Sequence, residues 1–212
     1  MRHDLNQLTN LLKRENFNPT SFIEIGSRDG HDTNFISNYW RLDHSKCFII
    51  EAHPICYKNI TNQYPQFNIL NVAASNETKP VMFNAGIFGE EENVGISSLL
   101  NRTYSSFISE QVEVDGWRMD DIMNQLQIKS FDFMKIDVEG LGLQVLEGFG
   151  DKIKDTKYIQ IELEIQQVWE GQSYYDDVIS YLKDKGFEIL NEVRSEEHTS
   201  ELQSRFGISY AV

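Results

Sequence analysis

The sequence predicts one α/β domain with a doubly wound, mostly parallel β-sheet. Short apolar runs of the kind that form buried strands alternate with segments of helical periodicity, in the order β-α-β-α-β over residues 22–70. The intervening segments are long enough for helices, and a helical crossover joins strands that run parallel. With 212 residues, the chain fits a single domain with a full-sized core.

The first half of the chain contains three predicted strands and the helices that precede and join them. Leucines recur at helical spacing over residues 4–15, so this segment is predicted to be an amphipathic helix. The strands are predicted at 22–25, 47–50 and 67–70. The second of these runs is apolar throughout, as in strands buried on both faces. Helical patterns at 33–40 and 55–60 fill the gaps between the strands.

The second half resumes the alternation after an irregular middle. The pattern of residues 76–114 predicts an extended segment or hairpin with a Gly- and Glu-rich loop. That loop is either a lid over the crevice at the ends of the parallel strands or an excursion on the surface. A helix is predicted from Met119, and Gly186 ends a later helix. Further strands are predicted at 131–137, 158–164 and 187–190, with helices between them.

Composition and charge indicate which partners and which compartment suit the chain. The formal net charge of −14 argues against a nucleic-acid partner, because phosphate binding depends on clustered Lys and Arg. The two cysteines, Cys47 and Cys56, form no paired framework, which favours reduced thiols in the cytoplasm. No apolar run is long enough to span a bilayer, and the N-terminus lacks a signal-peptide core. We therefore expect a cytoplasmic protein; the sequence does not indicate its oligomeric state.

The turn after the first strand is the first candidate site. Residues 22–30 read FIEIGSRDG, so an apolar strand runs into a turn with a glycine at each end and then into a helix. In open α/β sheets this crevice is where a nucleotide-like cofactor lies. Backbone N–H groups at the helix start favour polar or anionic groups, and a side chain in place of glycine would keep the ligand away. An ordinary strand-to-helix turn is the alternative.

Three acids lie in or at the ends of predicted parallel strands: Glu24, Glu51 and Asp137. An acid at the position of Glu51 can accept hydrogen bonds from both hydroxyls of a ribose, although a solvated strand end is the alternative. Glu24 lies inside an apolar strand, where an unpaired acid costs several kcal/mol. It therefore either accepts local backbone N–H groups or faces a cationic ligand such as an α-amino group.

Four motifs resemble the FkbM family of S-adenosylmethionine-dependent methyltransferases, in the Rossmann-like class. They read EIGSRDGHDT at 24–33, EAHP at 51–54, MKIDVEG at 134–140 and QIE at 160–162. The resemblance covers about residues 22–190. It implies a Rossmann-like methyltransferase fold, S-adenosylmethionine as the cofactor, and a methyl transfer reaction.

The same resemblance implies a set of cofactor-binding residues. Gly26 and its loop would contact the methionine part, Glu51 the ribose, and Ala73 with Ala74 the adenine, while Asp137 would lie beside the sulfonium. The full set is Glu24, Gly26, Ser27, Arg28, Asp29, Gly30, Thr33, Glu51, Ala52, Ala73, Ala74 and Asp137. Relatives often have small residues between the two glycines, whereas this chain has Arg28 and Asp29, which can pair with each other.

Methyl transfer from a sulfonium is an in-line displacement, so the protein mainly positions the acceptor and excludes water. For a hydroxyl acceptor on a small molecule or glycan, a base helps to remove the proton. Asp137 is the first candidate, followed by Glu139 or His53. Asp137 alternatively only orders the cofactor or caps the next helix, and N-methylation is a further alternative.

Two other functions compete with the methyltransferase reading. A nicotinamide-dependent oxidoreductase is weakened because the turn lacks G-x-G-x-x-G spacing. A non-catalytic Rossmann-like binding module is the other. No metal is expected, since the five histidines show no ligand spacing, although Asp137 and Glu139 are a conceivable divalent-ion pair.

The end of the chain does not fit the rest. Residues 194–212 resemble the translation of a sequencing-library adapter, so we expect a C-terminally truncated domain over 1–193 and a non-native tail. The resembled fold ends with an antiparallel seventh strand between the fifth and sixth. We expect that strand to be missing, with an empty slot in the sheet, or to be replaced by residues 206–212.

Overall fold

A computed structural model describes residues 2–87, 97–103, 109–164, 167–194 and 203–211. It contains ten strands: β1 (Phe22–Ile25), β2 (Cys47–Ile50), β3 (Asn68–Leu70), β4 (Ala73–Ser75), β5 (Lys79–Gly86), β6 (Ser109–Arg118), β7 (Phe133–Ile136), β8 (Tyr158–Glu164), β9 (Phe187–Arg194) and β10 (Gln203–Ala211). Its six helices are α1 (Arg2–Arg14), α2 (His31–Trp40), α3 (Pro54–Gln63), α4 (Met119–Gln125), α5 (Gly142–Gly148) and α6 (Tyr175–Asp184). Short 3-10 turns cover His44–Lys46 and Gly150–Asp155.

Seven strands form the main sheet, in the order β3-β2-β1-β7-β8-β10-β9. The five strands from β3 to β8 are parallel to one another, and β1 lies at the centre, with Ile25 level with Ile50 of β2 and Ile136 of β7. Their carboxyl ends therefore meet along one edge. This order confirms the predicted doubly wound, mostly parallel α/β fold.

The apolar residues of the central strands alternate between two cores, one on each face of the sheet. On one face Phe22 packs with Ile36 of α2 and Ile60 of α3. On the other face Ile23 belongs to the cluster that includes Val145 of α5. Strands that bury both faces need apolar residues at every position, which is why the sequence of β2 is apolar throughout.

A second sheet was predicted as only an extended segment or hairpin. It has three strands in the order β4-β6-β5, with β6 parallel to β4 and antiparallel to β5. The long strand β6 carries mostly polar side chains, four of them exposed, so no apolar run marks it in the sequence. The loop proposed as a lid falls largely on residues 88–96 and 104–108, which lie outside the described residues.

The slot between β8 and β9 is filled. Strand β10 lies there, antiparallel to both neighbours, with an irregularity in register between Gly207 and Ser209. The structure therefore matches a replaced seventh strand and not an empty slot. That residues 194–212 are foreign to the protein stays a prediction.

Cys47 and Cys56 are both buried, free thiols. No helix within the described ranges is long and apolar enough to cross a membrane.

Candidate active site

A cavity, partly open to solvent, lies at the carboxyl ends of β1, β2 and β7. Its floor is made by the residues that end these strands or directly follow them: Ile25, Gly26, Ile50, Glu51 and Asp137. One side is apolar and comes from Val72, Ala73 and Ala74. Phe83 of β5 and residues 97–99 also line the cavity, and Phe83 and Leu99 belong to the same apolar cluster as Ala73, so both sheets contribute.

Gly26 is the residue that lets β1 and β7 close the floor. Its φ is +80°, a conformation that side chains other than glycine rarely adopt. A Cβ at this position would lie 2.0 Å from the carbonyl oxygen of Asp137. Gly26 N–H also donates to the Ile50 carbonyl oxygen at 2.9 Å, which ties the turn to β2. The turn therefore requires glycine for both its conformation and its packing.

Glu51 is buried at the end of β2, and its two carboxylate oxygens have separate partners. The backbone N–H of Arg28 donates to one oxygen and that of His53 to the other, each at 2.7 Å. Burial raises the pKa of Glu51, while these two hydrogen bonds act in the opposite direction. A carboxylate has about four lone-pair sites, and the backbone N–H of Ser27 also acts on this group, so capacity for a further donor remains. Glu51 lines the cavity and can accept a hydroxyl group there.

Glu24 lies behind the floor and not in the cavity wall. The backbone N–H and the hydroxyl of Thr33 both donate to its Oε2, and Lys135 Nζ lies 3.9 Å from its Oε1. Of the two roles that the sequence allows, this geometry matches the binding of local backbone groups. Burial raises the pKa of Glu24 to about 8, with Lys135 opposing the shift and Asp32 adding to it.

Lys135 is a site residue that sequence reasoning missed. Its buried ammonium lies 2.8 Å from Asp137 Oδ2 and 3.1 Å from Asp32 Oδ2. Burial lowers the pKa of Lys135, but the surrounding carboxylates, led by Asp137, more than offset this and the pKa is raised. The signal that points to the residue is register, because Glu24 and Lys135 occupy matching positions in neighbouring parallel strands.

Glu139 lines the cavity close to Asp137. The indole N–H of Trp169 donates to Glu139 Oε2 at 3.2 Å, and the hydroxyl of Ser98 donates to the Glu139 carbonyl oxygen at 2.8 Å. Trp169 belongs to a loop far from Glu139 in sequence, so no spacing or periodicity could have indicated this contact. On the same turn, Glu164 accepts the Gly140 N–H at 2.9 Å.

The predicted site residues fall into two groups, those that line the cavity and those that lie outside its lining. Gly26, Arg28, Glu51, Ala52, Ala73, Ala74, Asp137 and Glu139 line the cavity. Glu24, Ser27, Asp29, Gly30, Thr33 and His53 do not. Ser27 Oγ accepts the Gly30 N–H at 3.0 Å, and Asp29 pairs with His31 at 3.0 Å.

His53 caps the start of α3. Its Nδ1 accepts the Ile55 N–H at 3.2 Å, and its Nε2 lies 3.0 Å from the Gly86 carbonyl oxygen. In the neutral ring, these contacts place the proton on Nε2. Across the part of the chain that the structure describes, no group of three or more His, Cys, Asp or Glu residues is arranged to hold a metal ion.

The strand order, the glycine turn and the acid after β2 define a Rossmann-like methyltransferase fold. The chain belongs to the FkbM methyltransferase family, because the model of the methyltransferase FkbM domain matches residues 24–189. A comparison with curated proteins finds no match.

Solved structures with the same fold include an FkbM methyltransferase from Methylobacillus flagellatus KT, at 13% identity and a TM-score of 0.59. That match covers 91% of this chain and 44% of the other, so this chain spans less than half of that protein. Magnesium protoporphyrin IX methyltransferase (ChlM) from Synechocystis PCC 6803, solved with bound SAM, is 8% identical, with a TM-score of 0.57 and coverage of 99% and 79%. TrmK from M. capricolum, in complex with S-adenosyl-homocysteine, is 9% identical, with a TM-score of 0.56 and coverage of 98% and 67%.

Proposed function

We propose that this chain is an S-adenosylmethionine-dependent methyltransferase that methylates a hydroxyl group on a small molecule or glycan. Family membership supports the reaction. The observation that carries the cofactor assignment is the buried Glu51 carboxylate, which lines the cavity together with Gly26 and is oriented by the backbone N–H groups of Arg28 and His53. The net charge of −14 favours such an acceptor over a nucleic acid, and the free thiols suit a cytoplasmic location.

The residues at the cavity fit this cofactor. The lining combines an apolar stretch, Val72 to Ala74, with the buried carboxylate of Glu51, and sites for small molecules are commonly apolar with a few polar groups. In our proposal Glu51 holds the ribose hydroxyls, and Ala73 with Ala74 borders the adenine. Gly26 leaves room for the methionine part, and Asp137 lies at the sulfonium end.

The remaining predicted cofactor residues support this arrangement from the turn and from behind it. Arg28 and Ala52 lie in the cavity wall, whereas Ser27, Asp29 and Gly30 shape the turn. Below the turn, the backbone N–H of Thr33 donates a hydrogen bond to Glu24, which holds the start of α2 against β1.

When bound, the cofactor would supply an electrophilic methyl group for the acceptor oxygen, and its sulfonium would leave as a neutral thioether. The chain has to position the acceptor, exclude water and take up the hydroxyl proton. Asp137 and Glu139 are the candidate proton acceptors in the cavity wall. His53 is a third candidate, although both of its ring nitrogens contact backbone groups.

Calorimetric titration with S-adenosylhomocysteine and with NAD tests the cofactor assignment. We expect S-adenosylhomocysteine to bind and Glu51→Ala to weaken it at least about tenfold, because charge-assisted hydrogen bonds contribute about 1.5–3 kcal/mol. Glu110→Ala, on an exposed part of β6, is the matched control and should bind normally. Binding of NAD alone would indicate the oxidoreductase, and binding of neither would indicate a non-catalytic module.

The acceptor class needs a separate assay. Methyl transfer from labelled S-adenosylmethionine should be measured with sugars, small alcohols, amines and transfer RNA as acceptors. We expect label on hydroxyl-bearing sugars or small molecules. Label on amines or on RNA would contradict the proposed acceptor while leaving the cofactor assignment intact.

A further inference from the structure

The two carboxylates at one end of the cavity have different electrostatic partners. Asp137 Oδ2 lies 2.8 Å from the ammonium of Lys135, which is itself buried and also contacts Asp32 at 3.1 Å. Taking up a proton on Asp137 would break this ion pair and leave a buried ammonium with less compensation. Asp137 is therefore a weak proton acceptor in this setting.

Glu139 has surroundings of the opposite kind. Its carboxylate accepts one neutral hydrogen bond, from the Trp169 indole, and the charged groups that act on it most strongly are the carboxylates of Glu164, Glu162 and Asp137. Burial, with these neighbours adding to it, raises the pKa of Glu139 well above its ordinary value. A carboxylate in such surroundings binds a proton readily, which is what a general base requires.

Two cationic side chains, Lys135 and Arg102, lie near Glu139, and among the described contacts neither pairs directly with its carboxylate. Lys135 acts through Asp137, and the guanidinium of Arg102 lies over the Trp169 ring, 5.8 Å from its centroid. The backbone of Glu139 is held by the Ser98 hydroxyl, so the side chain is anchored at both ends. Glu139 lines the same cavity as Asp137.

We propose that Glu139 and not Asp137 takes the proton from the acceptor hydroxyl, and that Glu139 ionises when the cavity takes up a sulfonium cation. The proposal rests on the proposed function. A cation close to a carboxylate favours its charged form, so Glu139 loses its proton on cofactor binding and becomes ready to accept another. Asp137 stays paired with Lys135 throughout and has a positioning role.

This assignment keeps the charge of the site constant during the reaction. Before transfer, the positive sulfonium is balanced by ionised Glu139. After transfer, the product is a neutral thioether, and the hydroxyl proton of the acceptor resides on Glu139. No net charge is created at a site shielded from solvent, where an uncompensated charge is costly. The Lys135–Asp137 pair does not change its protonation.

Proton release on ligand binding tests the proposal without an activity assay. Calorimetry in buffers of different ionisation enthalpy measures the protons released by S-adenosylmethionine and by S-adenosylhomocysteine, which differ at the sulfonium charge. For the wild-type protein near neutral pH, we expect more protons to be released by S-adenosylmethionine. Glu139→Gln should abolish the difference, and Asp137→Asn should retain it.

Equal proton release by the two ligands, or a difference that persists in Glu139→Gln, would overturn the assignment. If neither ligand binds, the proposed function fails, and this inference fails with it. A thermal melt checks the fold of each variant. Should Glu139→Gln not fold, the wild-type protein decides: the affinity for S-adenosylmethionine relative to S-adenosylhomocysteine must rise with pH if a proton is released. A flat or falling ratio would contradict the proposal.

Discussion

The ammonium of Lys135 lies 2.8 Å from the carboxylate of Asp137, which directly follows the last residue of β7. The same ammonium contacts Asp32 in the first turn of α2. One buried cation therefore connects the end of a central strand to the helix that follows the glycine turn. Two elements of the candidate site depend on a residue that does not itself line the cavity.

Replacing Lys135 with methionine should destabilise the protein by about 3–5 kcal/mol, because removing one partner of a buried ion pair leaves uncompensated charge. Denaturant unfolding measures the loss. Lys154→Met is the matched control, since Lys154 is 53% exposed and pairs at 2.8 Å with Asp151, which is 84% exposed. An exposed pair contributes about 0–1 kcal/mol. Equal losses in the two variants would contradict the structural role of Lys135.

The free energy of unfolding should fall as the pH rises from about 4.5 to about 8. Glu24 has an ordinary pKa of 4.5 and a folded-state pKa of about 8, so between these values the folded protein holds a proton that the unfolded chain has lost. The stability associated with that proton is fully present below the ordinary pKa of 4.5 and is lost as the pH rises through the folded-state pKa of about 8. Denaturant unfolding across this pH range measures it.

The variant Glu24→Gln isolates this contribution, because glutamine keeps an acceptor for Thr33 and does not titrate. The stability of the wild-type protein relative to Glu24→Gln should decrease from pH 5 to pH 8. Glu110→Gln, at an exposed position of β6, provides the comparison. A constant difference across the range would show that Glu24 does not carry the pH dependence.

Gly26→Ala should unfold the turn and abolish binding of S-adenosylhomocysteine. The new Cβ would lie 2.0 Å from a backbone oxygen and require a φ of +80°. Gly171 has a similar φ of +76° but nothing within 4 Å of an added Cβ. Gly171→Ala should therefore cost only the conformational strain, about 1–2 kcal/mol. Comparable melting temperatures and ligand affinities for the two variants would rule out the close packing at Gly26.

Deleting residues 203–212 should lower the melting temperature and promote aggregation. Strand β10 pairs along the whole length of β8 and along β9, so its removal leaves two strands with unpaired edges. Thermal melts with light scattering measure both effects. Removal of Val212 alone is the control and should change neither. An unchanged melting temperature after the full deletion would mean that β10 adds nothing to stability.

Strand β2 could be predicted because burial on both faces leaves an unbroken apolar run, and β8 because apolar and polar residues alternate along it. The bounds of β2 and β8 agree with prediction at both ends. Helix α2 begins at His31, two residues earlier than the pattern indicates, because Gly30 adopts a left-handed conformation just before it. Strand β6 was not foreseen, since its exposed, polar residues produce no such run.

The candidate site follows the same division. Gly26, Glu51 and Asp137 could be placed because they follow predicted strands, and the ends of parallel strands meet at one edge. Lys135 could not be placed in this way because its contacts depend on strand register. Trp169 could not be placed because it lies in a loop distant in sequence from Glu139. The packing of Trp169 against Glu139 is information that exists only in the folded chain.

The cavity has walls from two sheets that occupy different stretches of the gene. The floor comes from the parallel sheet, whereas Phe83 and residues 97–99 belong to the excursion between β4 and α4. A chimera that exchanges this excursion leaves the order of the parallel strands intact. Under the proposed function, exchanging this one contiguous insert should change which acceptor is methylated, because it replaces part of the cavity lining and not the strand ends that form the floor.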